Sequence, residues 1–288
     1  MDKPYIDLAI PSSYTLNLQS LMQRTLVLSF LSRAAGIYGV ENIYIYHDPI
    51  THDPEVERQV IKILRYLSTP PYLKKTLFRR EPELSYVGLA PPLTLYSHKK
   101  WVAIKNLNFP EYRIGLVIGR KKDRYLIDVG LDKHVAVREK PPQNIVVVEI
   151  TKATSEYLIG RVLSKDEYRG LGFYPGYRVK RLKMGFSSFL TKYNGCRICL
   201  TRYGEYIGSI WRKLIKELGG YERILLILGS YEYGLKEIFE AYSADMDKLC
   251  DYKINLVYKQ EVETIRVEEA TLIGLSIVDL LKHMRIDL

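Results

Sequence analysis

The hydrophobic pattern of the chain changes its period twice, and no other feature restricts the fold as much. A short apolar run at 5–10 ends at Pro11-Ser12-Ser13, and an amphipathic helix is predicted over about 16–35. A second buried strand at 43–46 precedes Asp53-Pro54, which has the form of a helix cap followed by a proline at the first helical position. Strands that alternate with helices indicate a parallel sheet.

The middle of the chain has a different pattern, because short runs of alternating apolar and polar residues extend from Tyr112 to Val179. Five such runs with turn-forming residues between them predict a small closed β-barrel. The predicted barrel strands are 113–118, 124–129, 134–138, 145–150 and 157–163.

After Tyr177 the α/β order returns. Strands are predicted at 197–201, 224–228 and 253–257, and helices at 209–218, 235–242 and 268–283. The barrel therefore interrupts one α/β domain. We predict a discontinuous domain of residues 1–92 and 176–288, with residues 93–175 as the insertion.

The charge of the chain favours a polyanionic partner. Lys and Arg number 43 against 33 Asp and Glu, which gives a formal net charge of +10. Such an excess attracts nucleic acid, although basic proteins also use charge to stay soluble, and both explanations remain open. The longest apolar run, Leu26–Leu31, is too short to cross a bilayer, and the N-terminus lacks a secretion signal. We expect no membrane partner.

The three cysteines are expected to be free thiols, which is typical of a cytoplasmic protein. Cys196 and Cys199 form a CxxC pair, but no second pair is present to complete a zinc site. His47 and His52 bracket a turn, yet no third ligand is spaced to join them. The sequence therefore predicts no metal.

Two loops near the C-terminus follow consecutive predicted strands. The first reads GSYEYG over 229–234, where glycine lets the backbone approach a ligand closely. The second contains ETIRVEEATLIGLS over 263–276 and leads into the last predicted helix. Glu268 and Glu269 also complement the dipole of that helix, which explains them without any ligand.

Together, these two loops resemble the cofactor-binding segments of the SPOUT superfamily of knotted RNA methyltransferases, in which one loop reads T-I-R-T-E-E-A. The resemblance extends to the branch that carries a barrel insertion and is assigned to RNA uridine-N3 methylation. It covers nearly the whole chain. The further matching positions are Gln19-Ser20, Arg24-Thr25, Arg33-Ala34, Tyr72-Leu73-Lys74-Lys75, Pro82, Leu84, Gly88-Leu89, Pro91, Leu93 and Gly176-Tyr177.

The resemblance implies a SPOUT-type parallel sheet with a C-terminal trefoil knot, an inserted OB-like barrel, and S-adenosylmethionine held largely by backbone groups. The implied cofactor-binding residues are Gly229, Ser230, Tyr231, Leu256, Val257, Gln260, Thr264, Ile265 and Ala270. The implied catalytic residues are Arg24 and Arg266, and which of them stabilises the substrate is left open. Val267 and the stretch 201–204 depart from the family pattern and are expected near the pocket.

Basic residues in and beside the barrel are candidates for phosphate contacts. They are Lys99, Lys100, Arg120, Lys121, Lys122, Arg178, Lys180, Arg181 and Lys183. Nearby aromatic residues could stack on unpaired bases, or they could belong to the core of the barrel. These are Tyr112, Tyr125, Phe173, Tyr174 and Tyr177.

The resemblance implies an enzyme that methylates N3 of a uridine in ribosomal RNA and acts as a homodimer whose active sites are shared between subunits. The first and last helices are the candidate dimer surfaces. The alternative is a noncatalytic RNA-binding or ribosome-assembly factor that retains the knot. Titration with S-adenosylmethionine discriminates between the two, because only the enzyme needs the cofactor.

Overall fold

The protein is described by a computed structural model over residues 4–284. Within that range the strands are β1 (Tyr5–Pro11), β2 (Asn42–Tyr46), β3 (Glu111–Lys121), β4 (Arg124–Asp128), β5 (Val135–Val137), β6 (Ile145–Ala153), β7 (Leu158–Val162), β8 (Arg178–Arg181), β9 (Cys196–Tyr206), β10 (Arg223–Ile227) and β11 (Tyr252–Asn255).

The helices of the described range are α1 (Leu21–Ile37), α2 (Pro54–Ser68), α3 (Pro71–Leu77), α4 (Lys165–Gly170), α5 (Phe186–Lys192), α6 (Ile207–Leu218), α7 (Leu235–Ala241), α8 (Met246–Leu249) and α9 (Val267–His283). Short 3-10 turns occur at Pro82–Leu84, Val87–Leu89 and Ile104–Asn106. None of the helices within 4–284 is long and apolar enough to cross a membrane.

Backbone contacts divide the described chain into two compact units. The smaller unit consists of residues 69–81 and 94–176, and the larger one of residues 4–68, 82–93 and 177–284. Residues 69–81 were predicted to belong to the discontinuous domain, whereas the structure groups this segment with the barrel. The reason is packing, since Leu73 is buried with Ile114 and Leu116 and the Tyr72 hydroxyl donates a 2.8 Å hydrogen bond to the Ile114 carbonyl.

The larger unit is built on a six-stranded sheet in the order β11-β9-β10-β1-β2-β8, in which every pairing is parallel. This confirms the predicted mixed α/β architecture with a parallel sheet. All seven residues of β1 and four of the five in β10 are buried, as expected for strands covered on both faces.

The smaller unit contains a closed barrel in the order β3-β4-β5-β7-β6, which confirms the five-stranded barrel predicted from the alternating runs. Its interior is filled by branched aliphatic residues, among them Ile127, Val135, Val148 and Leu158, each with no exposed surface. Side chains therefore fill the interior of the barrel.

The first helix begins later than predicted. It starts at Leu21 because the Ser20 hydroxyl accepts a hydrogen bond from the Gln23 backbone N–H, and the Gln23 side chain accepts one from the Ser20 N–H. This reciprocal cap ends the preceding loop. Leu28 and Leu31 have no exposed surface and face the core, whereas Met22 is 41% exposed.

A buried carboxylate on β1 forms hydrogen bonds to residues on both neighbouring strands of the sheet. Asp7 on β1 has no exposed surface and accepts hydrogen bonds from Asn42 on β2, from the Tyr193 hydroxyl and from the Arg223 guanidinium on β10. Burial by itself would lower the pKa of Arg223, but the charge and hydrogen bonds of Asp7 and the charge of Glu41 raise it. This ion pair fixes β1 between its two neighbours.

The cysteine prediction was wrong, because Cys199 and Cys250 form a disulfide. β9 and β11 are adjacent in the sheet, and this adjacency places Cys199, on β9, 6.0 Å from Cys250 between their Cα atoms although 51 positions separate them in sequence. Cys196 is a buried free cysteine. Burial raises the pKa of its thiol to about 12, so the thiol stays protonated near neutral pH.

Candidate active site

The C-terminal half of β9 and the loops that follow β10 and β11 border a cavity of about 210 Å³. These strands are parallel neighbours, so their carboxyl ends meet at one edge of the sheet, which is where α/β proteins bind ligands. The cavity walls come from residues 200–203, 228–237 and 254–270. Chain segments that are distant in sequence thus form one candidate site.

The structure brings together eight of the nine residues that the resemblance assigned to the cofactor. Those lining the cavity are Gly229, Ser230, Tyr231, Leu256, Gln260, Thr264, Ile265 and Ala270. Val257 is not among the lining residues, and its backbone N–H instead donates a 3.1 Å hydrogen bond to the Asn255 side chain. Val267 and Thr201, Arg202 and Tyr203, where the chain departs from the family pattern, also line the cavity.

The loop after β10 is a tight turn. The Ser230 N–H and hydroxyl both donate to the Tyr233 carbonyl, at 2.8 and 3.1 Å, and the Tyr233 N–H donates to the Ser230 hydroxyl at 2.9 Å. A Cβ atom at Gly229 would lie 3.0 Å from both the Leu235 nitrogen and the Tyr233 oxygen. Only glycine fits there without displacing this turn.

The loop after β11 is held by its own side chains. Gln260 donates through Nε2 to the Val262 carbonyl at 3.0 Å and to the Glu263 carbonyl at 2.9 Å. At the start of α9 the Arg266 N–H donates a 2.9 Å hydrogen bond to the Glu269 carboxylate. These bonds shape the third wall of the cavity.

Charged side chains at the cavity are mostly acidic, although the chain as a whole is basic. Glu232, Glu237 and Glu263 line it together with Arg202. Glu237 is not among the residues predicted from the sequence, and a carboxylate in the first turn of a helix is also explained by the helix dipole. Nothing in the local sequence indicates that its side chain faces the cavity.

Arg24 and Arg266 do not line this cavity in the part of the chain that the structure describes. Arg24 is half-buried on α1, where Nε donates to the Leu18 carbonyl at 3.0 Å and Nη1 to the Gln59 side chain at 2.9 Å. Its guanidinium is therefore held in a fixed orientation. Arg266 is exposed at the N-cap of α9.

The loop between β1 and α1 lies near the start of α9. Burial, and then the charge of Glu268, raises the pKa of Tyr14, which is 3% exposed in that loop. Thr271 of α9 also interacts with the Tyr14 hydroxyl. The phenol therefore stays protonated, and the loop between β1 and α1 meets the first turns of α9 at this point.

The candidate RNA-binding residues fall on both units. Lys99, Lys100, Lys121 and Lys122 belong to the barrel unit, whereas Arg178, Lys180 and Arg181 lie on the edge strand β8. Lys99 pairs with Glu111 at 2.9 Å, and Lys121 with Glu156 at 3.1 Å.

Arg181 and Tyr177, both candidates for RNA contact, have contacts within the protein that the sequence did not indicate. Arg181 forms a bidentate salt bridge with Glu57, in which Nε donates to Oε1 at 2.7 Å and Nη2 to Oε2 at 3.0 Å. For Tyr177, base stacking and a place in the core were both open, and the structure favours the core, because the residue is 4% exposed and its hydroxyl donates to Ser32. A side chain buried in this way has no free face for a base.

The two histidines of the HDPITHDP turn lie with their ring centroids 4.5 Å apart. The Asp53 carboxylate accepts hydrogen bonds from the Glu55 and Val56 N–H groups, so it caps α2 as predicted. Within residues 4–284, no group of three or more His, Cys, Asp and Glu side chains is placed to hold a metal ion.

Known proteins resemble this chain over most of its length. The sequence model of a family described as "Putative RNA methyltransferase" matches residues 5–278. An uncharacterized protein of Halobacterium salinarum is 28% identical, aligned over 93% of this chain and 96% of its own length. The proteins named 28S rRNA (uridine-N(3))-methyltransferase from Mus musculus and Homo sapiens are 27% and 26% identical over 95% of this chain, and over 76% and 78% of their own lengths.

Proposed function

Because the chain belongs to this RNA methyltransferase family, we propose that it transfers a methyl group from S-adenosylmethionine to N3 of a uridine in ribosomal RNA. The observation that carries the proposal is the cavity at the carboxyl ends of β9, β10 and β11, whose walls contain the loops with the family's cofactor-binding pattern. The mouse and human relatives named above supply the choice of uridine N3 and of ribosomal RNA.

The lining of the cavity suits this methyl donor. When bound, S-adenosylmethionine supplies an electrophilic methyl group on a positively charged sulfur. Gly229 leaves backbone atoms within reach of a ligand, and the acidic side chains of the lining complement a cation. The tight turn at Ser230 and the bonds of Gln260 hold these walls in place.

The residues that act on the substrate must stabilise negative charge, because the uridine nitrogen loses its proton before it attacks. A fixed guanidinium can stabilise the charge that spreads onto the neighbouring carbonyl oxygens. Arg24 suits this role, since two hydrogen bonds orient its side chain. Arg266, at the start of α9, is the other candidate.

We include the C-terminal trefoil knot in this proposal. β11 occupies the outer edge of the sheet beyond β9, yet α9, which follows it, packs against both α1 and α6. α1 follows β1, which lies on the far side of β10. The chain after β11 therefore returns across two strands, as a threaded C-terminus requires.

The barrel is proposed to be an OB-type module that binds RNA. At one end of β3, Arg120 lies 5.4 Å from the Tyr125 ring centroid and Lys121 lies 5.7 Å from that of Tyr157. Cations next to aromatic faces are typical of surfaces that bind unpaired nucleotides. Lys99, Lys100 and Lys122 would add phosphate contacts on the same unit.

We also propose that the protein is a homodimer through α1 and α9. Both helices carry large apolar side chains that remain exposed in one chain: Phe30 and Ile37 on α1 are 59% and 62% exposed, and Leu280 on α9 is 60% exposed. Contiguous exposed apolar patches mark interfaces, and α1 and α9 pack against each other in one chain. A dimer would also let Arg24 of a second copy complete the cavity.

Charged substitution in this surface is expected to give monomers. The unmodified protein should elute at about twice its 33.5 kDa mass, and Leu280→Glu at the monomer mass, because a carboxylate is costly to bury in an apolar interface. Light scattering coupled to gel filtration measures this. The matched control is Leu171→Glu, a 53% exposed leucine of the barrel unit, which should leave the dimer intact. An unmodified protein that elutes as a monomer contradicts the proposal.

The reaction is tested on RNA. We expect mass spectrometry of ribosomal RNA nucleosides to lose 3-methyluridine when the gene is deleted, and to regain it with the unmodified gene. Complementation with Arg24→Ala and with Arg266→Ala separates the two candidate catalytic residues, since the acting one should fail to restore the nucleoside.

A calorimetric titration with S-adenosylmethionine provides the second measurement. Binding to the purified protein is expected. If the cofactor does not bind and the nucleoside profile is unchanged by the deletion, the protein is instead the noncatalytic RNA-binding factor.

A further inference from the structure

One carboxylate at the cavity is not accounted for by the contacts of the fold. Glu237 is half-buried in the first turn of α7 and lines the cavity. Its Oε2 atom is buried and has no hydrogen-bond partner among residues 4–284. Buried polar atoms are nearly always paired, so this carboxylate, beside a ligand cavity, has a negative charge that the described contacts of the fold do not compensate.

The neighbouring glycine leaves room for this carboxylate. A Cβ atom at Gly234 would lie 2.9 Å from Glu237 Oε2, so a side chain at 234 would press on the carboxylate. The helix dipole explains why an acidic residue is favourable in the first turn of α7, but it does not explain why Oε2 is unpaired at the cavity wall.

The surrounding charges favour a cation. Glu232 and Glu263 line the same cavity, and Arg202 is the basic residue of the lining. Arg202 Nη2 donates a 3.0 Å hydrogen bond to the Tyr203 hydroxyl, and its guanidinium carbon lies 5.0 Å from the centroid of that ring. Glu232 and Glu263 are exposed and screened by solvent, which leaves Glu237 as the carboxylate with the strongest local effect.

We propose that Glu237 is a specificity residue that selects the positively charged methyl donor over its neutral-sulfur product. This inference rests on the proposed function. Transfer of the methyl group breaks the carbon–sulfur bond, leaves the electron pair on sulfur, and converts a sulfonium into an uncharged thioether. The carboxylate of Glu237 then loses part of its electrostatic attraction, so the product leaves more readily than the donor.

The test compares three ligands by calorimetry: S-adenosylmethionine, S-adenosylhomocysteine, and sinefungin, in which a protonated amine replaces the sulfonium. Glu237→Gln is expected to raise the Kd of the two cationic ligands about tenfold, and that of S-adenosylhomocysteine by less than about threefold. The matched control is Glu240→Gln, one turn further along α7, which makes the same charge change at a side chain that is 65% exposed. It should leave all three constants unchanged.

The outcomes separate this inference from the proposed function. If the unmodified protein binds none of the three ligands, the proposed function fails. If the unmodified protein binds them and Glu237→Gln changes none of the constants, or weakens all three equally, only the role of Glu237 is overturned. Should Glu237→Gln not fold, the unmodified protein decides: tighter binding of both cations than of S-adenosylhomocysteine supports the inference, and tightest binding of S-adenosylhomocysteine overturns it.

Discussion

Replacement of Gly229 by valine is expected to reduce methyl transfer about tenfold, because the backbone of a positioning loop must shift and a misplaced donor reacts more slowly. A Cβ atom at this position lies 3.0 Å from two backbone atoms of the turn that follows, so the turn must move. The clash involves main chain rather than a flexible side chain, and no rotamer change relieves it. Methyl transfer to ribosomal RNA in vitro and calorimetry with S-adenosylmethionine measure the effect.

The control for this prediction is Gly219→Val at the end of α6. A Cβ atom there meets no heavy atom within 4 Å, and the residue has ordinary helical backbone angles. We expect its activity and cofactor affinity to match those of the unmodified protein. If Gly229→Val retains full cofactor affinity while remaining folded, the loop after β10 is not part of the cofactor site.

Loss of the disulfide should produce the largest change in stability. The bond between Cys199 and Cys250 closes a loop of 51 positions, and the chain-entropy model assigns such a loop about 4 kcal/mol of folding free energy. We therefore expect Cys199→Ala/Cys250→Ala to lower the free energy of unfolding by about that amount in denaturant titrations under oxidising conditions.

The remaining cysteine provides the comparison. Cys196→Ala removes a buried thiol from the same strand without removing a cross-link, and we expect it to cost about 1 kcal/mol. A reducing agent should destabilise the unmodified protein and Cys196→Ala, but not the double variant. Equal free energies of unfolding for the double variant and the oxidised unmodified protein would show that the bond contributes nothing.

Several elements could be predicted because their cause is local. The apolar run of β1, the alternating runs of the barrel and the cap at Asp53 are properties of a few consecutive residues, and each appears in the structure at or near its predicted position. β8 escaped prediction, since three of its four residues are charged. It is a strand only because it pairs with β2 at the edge of the sheet.

The residues of the candidate site were predicted from the family resemblance and not from the hydrophobic periodicity of the sequence. The two C-terminal loops each read as ordinary turns, and their joint pattern selected the residues that the structure places around one cavity, apart from Val257. Glu237 and Tyr177 show the limit of this approach. The local sequence around each is the same whether the side chain faces a cavity, a core or solvent, so their surroundings could not be read from it.

The amino-acid sequence alone determined most of the strands and helices, where the barrel interrupts them, and the family to which the loops are similar. Only the tertiary structure decided that Cys199 meets Cys250, that residues 69–81 join the barrel unit, and that a carboxylate of α7 lies unpaired at the cavity. The physical reason is the separation in sequence between the residues that interact. Hydrophobic periodicity and caps depend on neighbours within a few residues, whereas these contacts depend on strand order and packing between distant segments.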